Sequence, residues 1–187
     1  MSLALDDLSD GDLAALALSG RQSAYTALLS RYREPIYRLV RATIGDQDAA
    51  VDVTQEAFVS AFAALKSYDA DRPFKTWISR IAINKCRDWA RRRSVRRFFS
   101  FALPIEAAAN VASDTITADQ QISDRAELTR VQAAIAKLPQ AIREPLVLRT
   151  IEGMTQAEAA QVLGISEKAV ETRLYRARGQ LTELLRA

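Results

Sequence analysis

Apolar side chains recur every three to four residues through most of this chain, a period that predicts helices. A first short helix can be capped by Ser9 or Asp10. From Ser23 to Ile44 a second places Tyr25, Leu28, Leu29, Tyr32, Ile36, Leu39 and Val40 on one stripe. Gly45 and Asp46 interrupt it. Between Asp48 and Leu65 the apolar Val51, Phe58, Phe62 and Leu65 take one side, while Asp52, Gln55 and Glu56 gather on another. Tyr68 to Phe74, with Asp69, Asp71 and Pro73, reads as a loop ahead of a long basic helix ending near Arg93.

Residues 94 to about 122 lose the helical period and read as a linker, although Phe98, Phe99, Phe101 and Ile105 make it too apolar for a free tether. This segment should lie pinned against protein in at least one state. Periodicity returns after Ser123 with Leu128, Val131, Ile135 and Leu138. A further helix is predicted over roughly Ile142 to Ile151, with Pro145 tolerable only in its first turn and Gly153 closing it. No alternating run suggests a strand. The expected fold is all-α, with two small helical domains at 1–97 and 125–187 joined by a linker at 98–124.

The C-terminal stretch TQAEAAQVLGISEKAVETRLYRAR has the grammar of a helix-turn-helix. Thr155 and Glu158 make a capping box, Gly164 ends that helix, and Ser166 caps the next after a very short turn. On the second helix Val170, Leu174, Ala177, Leu181 and Leu184 share one side. Lys168, Glu171, Thr172, Tyr175 and Arg176 lie opposite, near the N-terminus, where a recognition helix meets base edges; Arg173 and Arg178 flank toward phosphates. An amphipathic hairpin with a solvated charged face is the plainer alternative.

The segment TWISRIAINKCRDWARRR holds both tryptophans and the single cysteine. Ile78, Ala82, Ile83, Cys86, Trp89 and Ala90 form its inward arc. The opposite arc carries Arg80, Asn84, Lys85, Arg87, Arg91 and Arg92, with Trp77 and Ile81 set among them. A solvated basic face has no physical need for an indole. Among cations, such a ring suits stacking on an unpaired base while the charges hold phosphates. Packing of Trp77 against the N-terminal helices or the Phe74 loop is an equal alternative.

Charge sharpens the picture. The net charge is only +3, yet residues 66–97 carry 11 basic and 3 acidic side chains. Such a focused field favours a polyanionic partner. The absence of histidine excludes histidine-dependent hydrolysis and zinc chemistry, one cysteine cannot form an internal disulfide, and no cofactor or metal is expected. Neither a leader peptide nor an apolar run of about 18 residues is present, so a cytoplasmic protein is expected. A basic amphipathic helix could also lie on an anionic membrane, but a helix-turn-helix has no use there.

The stretches DVTQEAFVSAF, FKTWISRIAINKCRDWARRR, LPQAIREPLVLR and IEGMTQAEAAQVLGISEKAVETRLYRAR resemble bacterial RNA polymerase sigma factors of the extracytoplasmic-function (ECF) group, over nearly the whole chain. Residues of about 20–97 resemble region 2 and about 125–185 region 4. The resemblance implies that Asp52, Gln55 and Glu56 grip the clamp coiled coil of core RNA polymerase. It implies that the loop from Tyr68 to Thr76 and the following helix capture and melt the promoter −10 element, through Phe74, Lys75, Trp77, Arg80, Ile81, Asn84, Arg87 and Arg91. It assigns −35 duplex DNA to Lys168, Glu171, Thr172, Arg173, Tyr175 and Arg176. Glu171 departs from the Lys or Arg that many members carry, so the −35 sequence does not transfer.

The function implied is promoter-specific transcription initiation on core polymerase, in response to an extracytoplasmic or stress signal. An anti-sigma factor is expected to hold the chain inactive, and no catalysis of its own is expected. The alternative is a stand-alone helix-turn-helix regulator. A nucleic-acid enzyme would need converging acidic residues, and Asp69 and Asp71 alone do not supply them.

Overall fold

The computed structural model describes residues 5–102 and 119–186, and every regular element among them is helical. Helix α1 spans Asp10–Leu18, α2 Gln22–Ile44, α3 Gln47–Ala63 and α4 Phe74–Ala102. Helix α5 spans Asp119–Lys137, α6 Gln140–Thr150, α7 Gln156–Leu163 and α8 Glu167–Arg186.

Local chemistry sets the boundaries. The Ser9 hydroxyl accepts from the Asp12 amide at 3.1 Å, and the Asp46 carboxylate accepts from the Ala49 amide at 3.1 Å, each satisfying a donor that the first helical turn leaves orphaned. Gly45 ends α2 at φ 71°. A side chain there would be strained, and its Cβ would lie 2.6 Å from the Ala136 Cβ. Helix α4 begins directly after Pro73, whose carbonyl accepts from the amides of Thr76 and Trp77.

Helices α1 to α4 form a bundle around Leu13, Leu28, Ile36, Leu39, Val53, Phe74 and Ile78, all buried. Helices α5 to α8 enclose Leu146, Val147, Leu148, Val162, Val170 and Ala177. The two units touch through α4 against α7 and α2 against α5 and α6, and their buried residues form one continuous cluster.

Four sequence expectations need correction. Val51 does not join the core: the buried side of α3 is Ala50, Val53, Thr54, Ala57, Phe58 and Ala61, leaving Val51 46% exposed. Leu29 and Leu128 are exposed as well. Helix α4 continues to Ala102, past the point where irregular chain was expected, and α5 starts at Asp119 rather than after Ser123. Phe98 lies on that continuation, 74% exposed; Ile105 lies outside the described residues. Finally, α6 starts at Gln140 behind Pro139, which puts Pro145 in the helix interior, where it offers no amide to the Ala141 carbonyl.

Candidate nucleic-acid interface

An aromatic cluster organises the start of α4. Phe74 is its buried floor, with ring centroids 5.0 Å from Tyr32 and 5.1 Å from Tyr68. Trp77 stands half-buried on it, 5.2 Å from Phe74 and 5.3 Å from Tyr68. These tilted and edge-on contacts are favourable arrangements for aromatic quadrupoles. Trp77 is therefore neither wholly core nor wholly offered outward: one side packs, and the rest lines a hollow of about 410 Å³ with Tyr68, Asp69, Arg72, Arg80, Ile81 and Asn84.

The loop over this hollow is held by its own polar groups. The Tyr68 hydroxyl donates to the Arg72 carbonyl at 2.8 Å, the Asp71 amide donates to Asp69 at 3.1 Å, and Arg72 pairs with Asp69 at 3.2 Å. Burial pushes the Tyr68 phenol up, with Asp10 and Asp69 adding negative charge, so it stays a neutral donor. Below the cluster, Asp10 accepts from Arg31 at 2.6 Å and from the Tyr32 hydroxyl, tying α1 to α2.

The predicted −10 residues divide by environment. Arg80 and Asn84 are exposed at the hollow and Ile81 is half-buried beside them. Arg91 is exposed and pairs with Asp88 at 2.6 Å. Phe74 is a correction: completely buried, it offers no surface to a base and serves as the platform for Trp77. Lys75 and Arg87 face the other helical unit. Lys75 Nζ donates to the Glu152 carbonyl at 2.8 Å and lies 3.2 Å from its carboxylate. Arg87 donates to both Glu144 oxygens at 3.0 and 2.6 Å, and this hydrogen bonding raises its pKa further.

Cys86, on the inward side of α4, is buried, and its thiol is pushed up to about 12 by burial first and by Glu144 second, which leaves it an inert packing group.

The helix-turn-helix matches its sequence grammar. The Thr155 hydroxyl accepts from the Glu158 amide at 3.2 Å, and the Glu158 carboxylate accepts from the Thr155 amide at 2.7 Å. The Thr155 hydroxyl also donates to that carboxylate at 2.7 Å, and the two bonds it accepts, from the Thr155 amide first and the hydroxyl second, hold the Glu158 carboxyl below its ordinary value. Gly164 takes φ 67°, the Ser166 hydroxyl accepts from the Ala169 amide at 3.2 Å, and Gln156 donates to the Glu167 carbonyl at 3.0 Å, locking α7 to α8. Val170, Leu174 and Ala177 are buried. Tyr175 is 82% exposed and Arg176 is exposed beside it, while Arg173 is half-buried. Lys168 pairs with Glu171 at 2.8 Å, and the Thr172 hydroxyl is turned in to the Lys168 carbonyl at 2.9 Å.

Asp52 and Gln55 are exposed on α3; Glu56 is half-buried and pairs with Arg92 at 3.2 Å. Next to them runs a groove of about 620 Å³ between α2 and α3, lined by Leu29, Tyr37, Val51, Phe58, Val59 and Phe62. Val59 is 70% exposed. Sequence reasoning missed this groove because a wheel assigns Val51 and Leu29 to a core. It also missed Glu144 and Glu152. The available signal was Glu144 as a lone carboxylate among Ile142, Pro145, Leu146, Val147 and Leu148.

The sigma-70 region 2 family model matches residues 28–96, and the sigma-70 region 4 model matches residues 128–181. The chain is 43% identical over 182 residues to RNA polymerase sigma factor CnrH of Cupriavidus metallidurans, covering 96% of this chain and 95% of that one. It is 31% identical over 177 residues to ECF RNA polymerase sigma factor SigM of Mycobacterium tuberculosis, covering 95% and 85%. Among solved structures, CnrH in complex with the cytosolic domain of CnrY matches with a TM-score of 0.68 at 37% identity, covering 94% of this chain and 96% of that one. The sigma factor RpoE in complex with the anti-sigma factor NepR from Bartonella quintana shares the fold, with a TM-score of 0.67 at 23% identity, covering 87% and 97%. Two region models falling on the two helical units, together with relatives similar over nearly their whole length, place this chain in the sigma-70 family, among the ECF RNA polymerase sigma factors.

Proposed function

We propose that this chain is a promoter-specificity subunit that binds core RNA polymerase and directs initiation, acting in the cytoplasm and catalysing no reaction of its own. The observation that carries the reading is the half-exposed Trp77 on its aromatic platform, bordered by Arg80 and Asn84 and shaped to take a base out of a melting duplex. Helix α8 reads the −35 duplex through Lys168, Glu171, Thr172, Arg173, Tyr175 and Arg176. Asp52, Gln55 and Glu56, with the apolar groove beside them, grip the polymerase. An anti-sigma factor holds the chain inactive by covering the same face; the similar CnrH, 37% identical, is itself bound to the cytosolic domain of CnrY. On this reading residues 1–97 and 125–187 are the functional units and 98–124 joins them.

Run-off transcription with purified chain and core polymerase on a genomic promoter library tests it. Promoter-specific transcripts that require the chain are expected. Tight duplex binding without polymerase, with no transcripts and no affinity for single-stranded −10 DNA, would instead describe a stand-alone regulator.

A further inference from the structure

The outward stripe of α8, formed by Lys168, Glu171, Thr172, Tyr175 and Arg176, carries one carboxylate where attraction to phosphate has no use for it. Residues near the start of a recognition helix are the ones that meet base edges. A negative charge there weakens binding to every sequence unless a base donor offsets it. Glu167, the other carboxylate of this turn, stands at the first helical position, where it complements the positive end of the helix. Glu171 has no such role. Nor does it serve the fold: its side chain is 58% exposed, its partner Lys168 is 81% exposed, and an ion pair so open to water contributes little to stability.

The pair nevertheless has a defined form. Lys168 Nζ donates to Glu171 Oε2 at 2.8 Å, which sets an ammonium and a carboxylate side by side and leaves Oε1 free of bonds among the described residues. The turn that carries them is fixed in place. The Ser166 hydroxyl caps it through the Ala169 amide at 3.2 Å, and Gln156 of α7 holds the Glu167 carbonyl at 3.0 Å.

A G·C pair presents in the major groove two neighbouring acceptors, guanine N7 and O6, followed by the cytosine N4 amine. An ammonium beside a carboxylate matches that order, with Lys168 over the two acceptors and Glu171 accepting from N4. An A·T pair sets its one donor, adenine N6, between two acceptors, so a carboxylate over it is repelled from both sides. On the reversed pairs the charges face the wrong edges, because the docking of α8 fixes its direction.

We propose that Lys168 and Glu171 together read one G·C pair of the −35 element, Glu171 selecting its cytosine and rejecting the other bases at that position. The inference rests on the −35 reading of α8 and adds the identity of a base to it. Glu171 acts more against wrong promoters than for the right one, since a carboxylate facing a base acceptor is left repelled and without a partner.

The test compares initiation by wild-type and variant holoenzymes on a promoter library randomised through the −35 element, read by sequencing barcoded transcripts. Wild type should favour G·C over each other pair at one −35 position by roughly 5- to 150-fold, the range of one good base contact. Glu171→Gln should move the preference at that same position to A·T, because an amide donates to adenine N7 while accepting from N6. Glu171→Ala should flatten that position by raising initiation on the disfavoured pairs, and should leave the other −35 positions as they are. Variants that keep the wild-type order of preference at every position overturn the proposal, as does a flattened position whose wild-type preference is not G·C. A wild-type holoenzyme that initiates nowhere, or with no preference at any −35 position, would instead strike the functional reading, so the two failures are distinguishable.

Discussion

Replacing Trp77 by Ala separates the two tasks its ring is placed to perform. The ring meets Tyr68 at 5.3 Å and Phe74 at 5.2 Å, and an aromatic pair contributes about 0.5–1.5 kcal/mol beyond its buried area. Truncation should therefore destabilise the α1–α4 unit by roughly 1–3 kcal/mol from these two contacts alone. A base stacked on the open side of the ring contributes a further term of about 1–3 kcal/mol, present only in the melted complex. That second loss corresponds to about 5- to 150-fold in the open-complex equilibrium. The first quantity is read by urea unfolding of the free chain, the second by 2-aminopurine fluorescence in the −10 element bound to holoenzyme. Trp77→Phe keeps a ring on the platform and presents a smaller plate, so it should restore most of the stability and only part of the opening. If Trp77→Ala lowers stability as stated but opens promoters as fast and as fully as wild type, the ring serves the fold alone and the stacking argument is wrong.

Asp52→Ala combined with Glu56→Ala should weaken capture of core polymerase in a pull-down while leaving the unfolding midpoint nearly unchanged, because the Glu56–Arg92 pair is solvent-exposed and such pairs contribute only about 0–1 kcal/mol; undiminished capture removes these residues from the interface. Arg176→Ala should reduce initiation from promoters with a −35 element far more than from promoters lacking one, and an equal loss on both would count against base reading by α8. Thr155→Ala breaks the capping box and should cost about 1 kcal/mol in chemical denaturation. Because Glu158 has its carboxyl pKa lowered in the folded chain, its contribution is present at neutral pH, above its unfolded value, and disappears as the pH falls through the depressed folded value. Glu158→Gln should flatten that part of the acid-stability curve, and an unchanged curve would show that the cap bonds do not set the pKa.

What was legible in the sequence was whatever neighbours along the chain decide. Ser9, Asp46, the Thr155–Glu158 box, Gly164 and Ser166 act within a few residues of themselves, and the helices begin and end where those residues dictate. The inward arc of α4 was legible for the same reason, since Ile78, Ala82, Ile83 and Cys86 repeat on one face of a single helix. Val51 differs from its expected place because α3 packs closely through alanines: small residues carry little weight on a hydrophobicity wheel, so the wheel turns toward the larger Val51 and away from Ala50, Val53 and Ala57. The continuation of α4 to Ala102 was hidden because its arginines lack an apolar period. Glu144 and Glu152 could not be placed, because their cations lie 57 and 77 residues away and only the tertiary fold brings them together.

The composition of that contact also bears on how it can open. The contact joins the apolar residues of the two units into one cluster and adds ion pairs to it, so parting the units would expose hydrocarbon as well as charge. Lys75, Arg87, Glu144 and Glu152 gain water when separated, so an ion-paired contact costs less to break than its buried geometry suggests. Removing one partner is different, because the other charge then remains buried unpaired in the closed form. Arg87→Ala should therefore destabilise the closed arrangement more than E144Q does, while removing a predicted DNA contact at the same time. The free Arg87→Ala chain should show a larger radius of gyration in X-ray scattering than wild type, and a chain as compact as wild type would show that this pair does not hold the units together. E144Q should expand the chain less, because Arg87 is only half-buried and water can take the place of the lost charge.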